Sequence, residues 1–248
     1  MKRIGIIGAG QIGATLAKKF SQAGHAVRIA NSRGPESLKE LAIEANVTAV
    51  TLEQAVEDVD IVIVSIPFKS IKDLPANLFA ETPGDLIIVD TGNYYPEYRE
   101  TKIEAIENGM PETEWVSAHL HRPVLKAFNN IGATSLAKNS VPLGDPNRIA
   151  LPVAGDSIES KTEIMTLINE IGFDAVDGGS LSESWKQQPG SPVYCTDHNK
   201  EEVLRLLQTV EKSKLPDLRG LGLKMVMELK DPANESRSVL RGLYKTGI

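Results

Sequence analysis

Arg3 to Ile7 is a short apolar run stopped by Gly8, after which Ile12, Leu16, Phe20 and Ala23 recur at helical spacing. The first thirty residues therefore predict a strand, a glycine turn, a helix and a second strand over His25 to Ala30. Pro35, just past the turn Asn31-Ser32-Arg33-Gly34, suits the first position of a helix whose inner face is Leu38, Leu41, Ala42 and Ala45. Thr51 with Gln54 three positions on is a capping box that opens a short helix. Ile61 to Ile66 and Leu86 to Asp90 are continuous apolar runs bounded by turn residues, the pattern of strands covered on both faces of a parallel sheet.

Beyond Asp90 the alternation continues less regularly. The pattern predicts helices from about Glu97 to Glu107 and around Glu112 to His121, then strands at Val124 to Phe128 and Ile149 to Val153. Asp156 with Glu159 reads as the cap of a helix carrying Ile164, Leu167, Ile168 and Ile171, which Gly172 ends before a strand at Phe173 to Asp177. After Gly178-Gly179 the pattern is ambiguous, although Val203, Leu206, Leu207 and Val210 share one helical face. The tail from Lys212 to Ile248 mixes Leu221, Leu223 and Met225 to Met227 with charges, and either covering a pocket or making a dimer contact fits it. The fold class expected is α/β, a Rossmann-type doubly wound, mainly parallel sheet with a smaller C-terminal α/β segment. Pro142, Gly144 and Pro146 cluster in the loop Asn139 to Arg148, which places the boundary between an NADP-binding domain, 1–146, and a smaller domain, 147–248. The Ile149 strand is equally placed to extend the first sheet.

Composition narrows the ligands. Among 248 residues, 27 Lys and Arg against 33 Asp and Glu give a formal charge of −6, with no long basic run. Nucleic acid and acidic membranes both need clustered positive charge, so a small molecule is the expected ligand. The single Cys195 excludes an internal disulfide and a cysteine zinc site, and no metal is expected. No apolar run approaches the ~20 residues that span a bilayer. Lys2 and Arg3 lead into too short an apolar stretch for a signal peptide, so the mature chain is expected to begin at Met1, in the cytoplasm.

Gly8-Ala9-Gly10-Gln11-Ile12-Gly13 is a Gly-x-Gly-x-x-Gly between the first strand and first helix, the context in which the motif binds a dinucleotide. Its first glycine permits the turn, the second admits the pyrophosphate to the backbone, and the third brings helix and strand together. About twenty residues on, an NAD site usually offers Asp or Glu to the ribose hydroxyls. This chain offers Asn31-Ser32-Arg33, with no carboxylate to repel a 2′-phosphate and a guanidinium fork to receive one, which predicts NADP(H).

A positioned catalytic acid is harder to assemble. His25 belongs to a strand, His119 and His121 flank a helix end, His198 lies in the ambiguous region, Lys126 reads as a structural lysine at a sheet end, and Cys195 as a small buried hydrophobe. The catalytic residues are left unassigned.

Several segments taken together resemble one family: GIIGAGQIGATLAKKFSQAGHAVRIANSR at 5–33, IVIVSIPF at 61–68, DTGNYYP at 90–96, VLKAFNNIGA at 124–133, VAGD at 153–156 and GGSLSESW at 178–185. The chain resembles the NADP oxidoreductases typified by the archaeal enzyme that exchanges hydride between NADP and factor-420, an 8-hydroxy-5-deazaflavin. The cytoplasmic domains of eukaryotic membrane metalloreductases look like cousins. The resemblance implies that Gly8, Gly10, Gln11 and Ile12 meet the pyrophosphate, with Gly13 packing the helix behind them in the same cofactor-binding motif, that Asn31, Ser32 and Arg33 meet the 2′-phosphate, and that Ser65, Ile66 and Pro67 line the path between the riboses. It further implies that Asn129, Ile131 and Ala133 border the nicotinamide and that Leu181 closes the acceptor pocket, to which Asn130 and Gly132 are expected to belong because their turn follows the Val124–Phe128 strand at the C-terminal sheet edge. The archaeal enzymes carry His where this chain has Asn129, and the sequences diverge from Trp185 onward. A homodimer with NADP(H), and with factor-420 deazaflavin or a flavin as co-substrate, is the corresponding expectation.

Hydride arriving on a conjugated ring leaves a delocalised anion that water can protonate, so such a reaction needs two stacked rings and no protein acid. Two other classes share the first domain. One is a 3-hydroxyacid or imine-reductase type of dehydrogenase, which needs a clear acid or a long helical C-terminal domain; the other is a non-catalytic NADPH sensor.

Overall fold

In the first part of the chain the apolar runs pair side by side as a parallel sheet. The computed structural model describes residues 1–96 and 98–245, and the chain divides into two units, Met1–Lys126 and Ala127–Ile248. The first unit holds β1 (Arg3–Ile7), β2 (Ala26–Ala30), β3 (Thr48–Ala49), β4 (Ile61–Val64), β5 (Ile87–Asp90) and β6 (Leu125–Lys126) in the order β3-β2-β1-β4-β5-β6. Every neighbouring pair is parallel; Ile4 of β1 stands opposite Val27 on one side and Ile61 on the other. Strand order therefore reverses between β1 and β4, the switch point where doubly wound sheets bind ligands beyond their C-terminal strand ends.

Helices alternate with these strands because each has one apolar face to bury. In α1 (Gln11–Gln22) that face is Gly13, Leu16, Ala17 and Phe20. Leu16 and Phe20 are fully buried, worth about 1.5–3 kcal/mol each over exposure. A 3₁₀ turn at Pro35–Leu38 leads into α2 (Lys39–Ala45). The capping box expected at Thr51 is present: its hydroxyl accepts the Gln54 N–H at 3.3 Å, and Gln54 Oε1 accepts the Thr51 N–H at 3.0 Å, opening α3 (Leu52–Val56). Phe68, Tyr94 and Trp115 join the core, with Phe68 and Trp115 stacked at 5.1 Å.

The helix expected from Glu97 to Glu107 shrinks to α4 (Glu104–Glu107), and Glu97 lies outside the described residues. Side chains bond backbone amides on either side of the lost turns instead. The Tyr95 N–H goes to the Glu100 carboxylate, and the Ile103 N–H donates to the buried Tyr94 hydroxyl at 2.8 Å. The helix α5 (Glu112–Leu120) follows as expected.

The second unit contains α6 (Ala133–Lys138), β7 (Ala150–Val153), α7 (Ile158–Glu170), β8 (Asp174–Asp177), α8 (Lys200–Leu207), α9 (Leu215–Met227) and α10 (Pro232–Lys245). β7 and β8 pair with each other in parallel as a separate two-stranded sheet, so the Ile149 strand does not extend the first one. α7 is capped by Ser157, whose hydroxyl accepts the Ser160 N–H at 3.1 Å; Asp156, expected to cap it, instead accepts the Leu181 N–H at 2.9 Å. The division falls after Lys126, not after 146, because Arg148 fastens the Pro- and Gly-rich loop into the second unit. Its guanidinium donates to the carbonyls of Asn169 at 2.5 Å, Phe173 at 2.7 Å and Val141 at 3.3 Å. The tail forms α9 packed against α10, with Leu240 and Leu243 buried.

Candidate nucleotide site

The turn between β1 and α1 is shaped by its three glycines, of which Gly10 is exposed. Gly8 has φ +111°, and a Cβ there would come 2.1 Å from the Ser65 carbonyl oxygen, so this turn and the end of β4 are in direct contact. A Cβ on Gly13 would likewise strike the Gly8 carbonyl at 2.0 Å. Gly10 differs, because a Cβ there meets nothing within 4 Å. Protein packing thus requires glycine at 8 and 13, whereas at 10 a side chain would fill only the open space that a pyrophosphate needs.

Gly10 is also the N-cap of α1. It offers no side-chain oxygen, and the first turn of this 12-residue helix carries no acidic residue. The helix N-terminus therefore keeps its free N–H groups and its partial positive charge for an anion. Among the described residues the glycine cradle, Ser65 and Ile66 fit the expected cofactor; both of the latter are half-buried, with Pro67 exposed beyond them.

At the end of β2 the chain makes a tight turn. Asn31 Oδ1 accepts the Arg33 N–H at 2.9 Å, and Asn31 Nδ2 donates to the Ser37 hydroxyl at 3.0 Å. Asn31 thus turns its amide inward, while Ser32 and Arg33 are exposed and their side chains have no partner among the described residues. Of the three residues expected at the 2′-phosphate, two are presented to solvent and one shapes the turn.

Lys126, read as a structural lysine, is entirely buried at the end of β6 beside Asp90 at the end of β5. Its ammonium donates to the Gly92 carbonyl at 3.0 Å, to Thr113 Oγ1 at 3.1 Å and to Glu112 at 3.4 Å, and lies 3.7 Å from Asp90. Thr113 in turn donates to Asp90 at 2.8 Å, whose other oxygen accepts the Gly92 N–H. This network, drawn from three separated segments, holds the chain that leaves β5.

In the second unit, Asn129 is buried and reciprocally paired with Gln187. Its Nδ2 donates to the Gln187 carbonyl at 2.7 Å, and its Oδ1 accepts from Gln187 Nε2 at 2.9 Å. Asn130 donates to the Val193 carbonyl at 3.3 Å, and its own carbonyl accepts the Cys195 N–H. The structure thus brings the 129–133 turn against the segment 187–195. Gly132 and Ala133 are half-buried there, whereas Ile131 and Leu181 are buried.

The remaining candidates for chemistry sit in varied surroundings. His25 Nδ1 accepts the Lys2 N–H, His119 lies against Trp115 at 3.7 Å, and His121 caps α5 with φ +51°. Burial lowers the pKa of His198, and burial pushes the Cys195 thiol up to about 12, so it is no nucleophile at neutral pH. A cavity of about 370 Å³ is lined by second-unit residues including His198, Arg205, Lys214 and Arg241. Its cations are already paired: Arg205 with Glu202, Lys214 with Glu211, Arg241 with the Thr196 and Asp197 carbonyls. Among the described residues no cluster of three or more His, Cys, Asp or Glu could hold a metal, and no helix is long and apolar enough to cross a membrane.

The family described as NADP oxidoreductase coenzyme F420-dependent matches residues 3–94, which contain the glycine turn, the Asn31 turn and the Ser65 segment. The crystal structure of SMa0349 from Sinorhizobium meliloti, described as a hypothetical protein, is 32% identical with a TM-score of 0.69, covering 81% of this chain and 96% of that one. Residues 3–94 thus match this family of NADP oxidoreductases, in agreement with the resemblance carried by the sequence motifs. The Escherichia coli protein YjhV is 42% identical over 84 residues, 32% of this chain and 61% of that protein. Rat Metalloreductase STEAP3 is 27% identical over 223 residues, 89% of this chain and 40% of that protein. The matches thus span less than two thirds of both curated relatives.

Proposed function

We propose that this NADP oxidoreductase binds NADPH in preference to NADH at the β1–α1 turn and reduces a planar conjugated acceptor of the deazaflavin or flavin kind. The observation that carries the reading is the turn after β2, where exposed Ser32 and Arg33 stand free and no carboxylate takes the place usual in NAD sites. NADPH, when bound, supplies hydride for a two-electron reduction, and the reduced acceptor ring takes its proton from water. The chain's own part is to bind and orient. The uncapped α1 N-terminus faces the pyrophosphate, Gly10 leaves it room, and Arg33 pairs with the 2′-phosphate.

His25 and His119 are hydrogen-bonded to backbone groups and burial keeps the Cys195 thiol protonated, which supports an acceptor that needs no protein acid. Of the acceptor-side residues, Leu181 rests on the family resemblance, and Asn130 and Gly132 on their place in the turn after β6. Steady-state NADPH oxidation against a panel of acceptors tests the reading. Turnover with a deazaflavin or flavin is expected; turnover confined to carbonyls or imines, or none despite tight NADPH binding, would overturn it.

A further inference from the structure

We propose that Ser37 is a positioning residue for the 2′-phosphate of NADPH, acting through Asn31; the inference rests on the nucleotide reading above and deepens it. Ser37 lies six residues from Asn31, on the 3₁₀ turn Pro35–Leu38. Its hydroxyl accepts from Asn31 Nδ2 at 3.0 Å and donates to the Gly34 carbonyl at 2.8 Å. A hydroxyl has one proton and two lone pairs, so it can make both bonds at once. Asn31 Oδ1, 3.2 Å away, is a second acceptor for the same proton and also receives the Arg33 N–H.

One hydroxyl therefore closes a ring of bonds through Asn31, Arg33 and Gly34. The backbone is constrained on the same side, since Gly34 has φ +83°, a conformation that side chains resist, and Pro35 fixes its own φ. The nearest following carboxylate, Glu36, is occupied by an ion pair with Lys39. The turn consequently holds Ser32 and Arg33 outward before any nucleotide arrives, which lowers the ordering cost of binding. Ser37 is itself exposed, but its hydroxyl is spent within this ring of bonds, so it acts on the phosphate through Asn31.

The test compares dissociation constants for NADPH and NADH, read by nucleotide fluorescence, in the unmodified chain and its variants. Ser37→Ala should weaken NADPH about five- to tenfold, as expected for losing one or two neutral hydrogen bonds, while NADH changes less than about twofold. Ser37→Thr keeps the hydroxyl and should restore the preference. Asn31→Ala should reproduce the loss, and the double variant should lose no more than either single one, because both remove the same ring of bonds. An undiminished NADPH preference in Ser37→Ala, equal weakening of both nucleotides, or a Thr variant as poor as Ala would overturn the proposal. An unmodified chain with no preference would overturn the nucleotide reading instead.

Discussion

At the C-terminal edge of the first unit's sheet, two polar clusters differ in what closes them. At β5 and β6, Lys126, Asp90, Glu112 and Thr113 close on one another and on the Gly92 backbone, and all four side chains are buried. At β1 and β2, the glycine turn, the uncapped start of α1 and the Asn31 turn are joined within themselves yet leave N–H groups and the Arg33 guanidinium open. Polar groups that the chain satisfies itself act on stability, and groups left open act on binding. The contrast with α3 makes the same point within one unit, since its N-terminus is closed by Thr51 and Gln54.

Substitutions can break that comparison. Lys126→Met should show the largest effect, about 3–5 kcal/mol of lost stability in urea unfolding, because two buried carboxylates lose their cation. NADPH affinity of the folded fraction should stay within about threefold, by the additivity of separate sites. Gly10→Val should do the reverse, weakening NADPH by at least about a hundredfold, as expected from blocking the pyrophosphate's approach. Its unfolding free energy should change by no more than about 1 kcal/mol, the scale of an unfavourable N-cap. A Gly10→Val chain that still binds NADPH within threefold would place the cofactor elsewhere. Thr51→Ala should have the smallest effect, about 1 kcal/mol of stability with nucleotide affinity unchanged.

The parallel sheet is legible in the sequence because its strands are covered on both faces and leave continuous apolar runs. The glycine turn is legible because its spacing and position carry the geometry. The two-residue β3 is too short to give a periodic signal. Asp156 and Ser157 are both able to cap α7, and the choice is made by the Leu181 amide, 25 residues from Asp156. The loop 139–148 carries turn residues, but its place in the second unit depends on Arg148 reaching carbonyls far along the chain. Asn31 is visible as a polar residue at the expected offset, whereas the direction of its amide depends on Ser37 six residues later. The Lys126 network is invisible for the same reason, since its members at 90, 112, 113 and 126 meet only in the fold.

The most direct measurement of the account is calorimetric titration of the unmodified chain with NADPH and with NADH, repeated on Arg33→Ala. NADPH should bind at least about tenfold more tightly, the worth of one charge-assisted contact to phosphate, and Arg33→Ala should erase most of that difference while leaving NADH affinity alone. Equal dissociation constants in the unmodified chain, or a preference that survives the loss of Arg33, would contradict it.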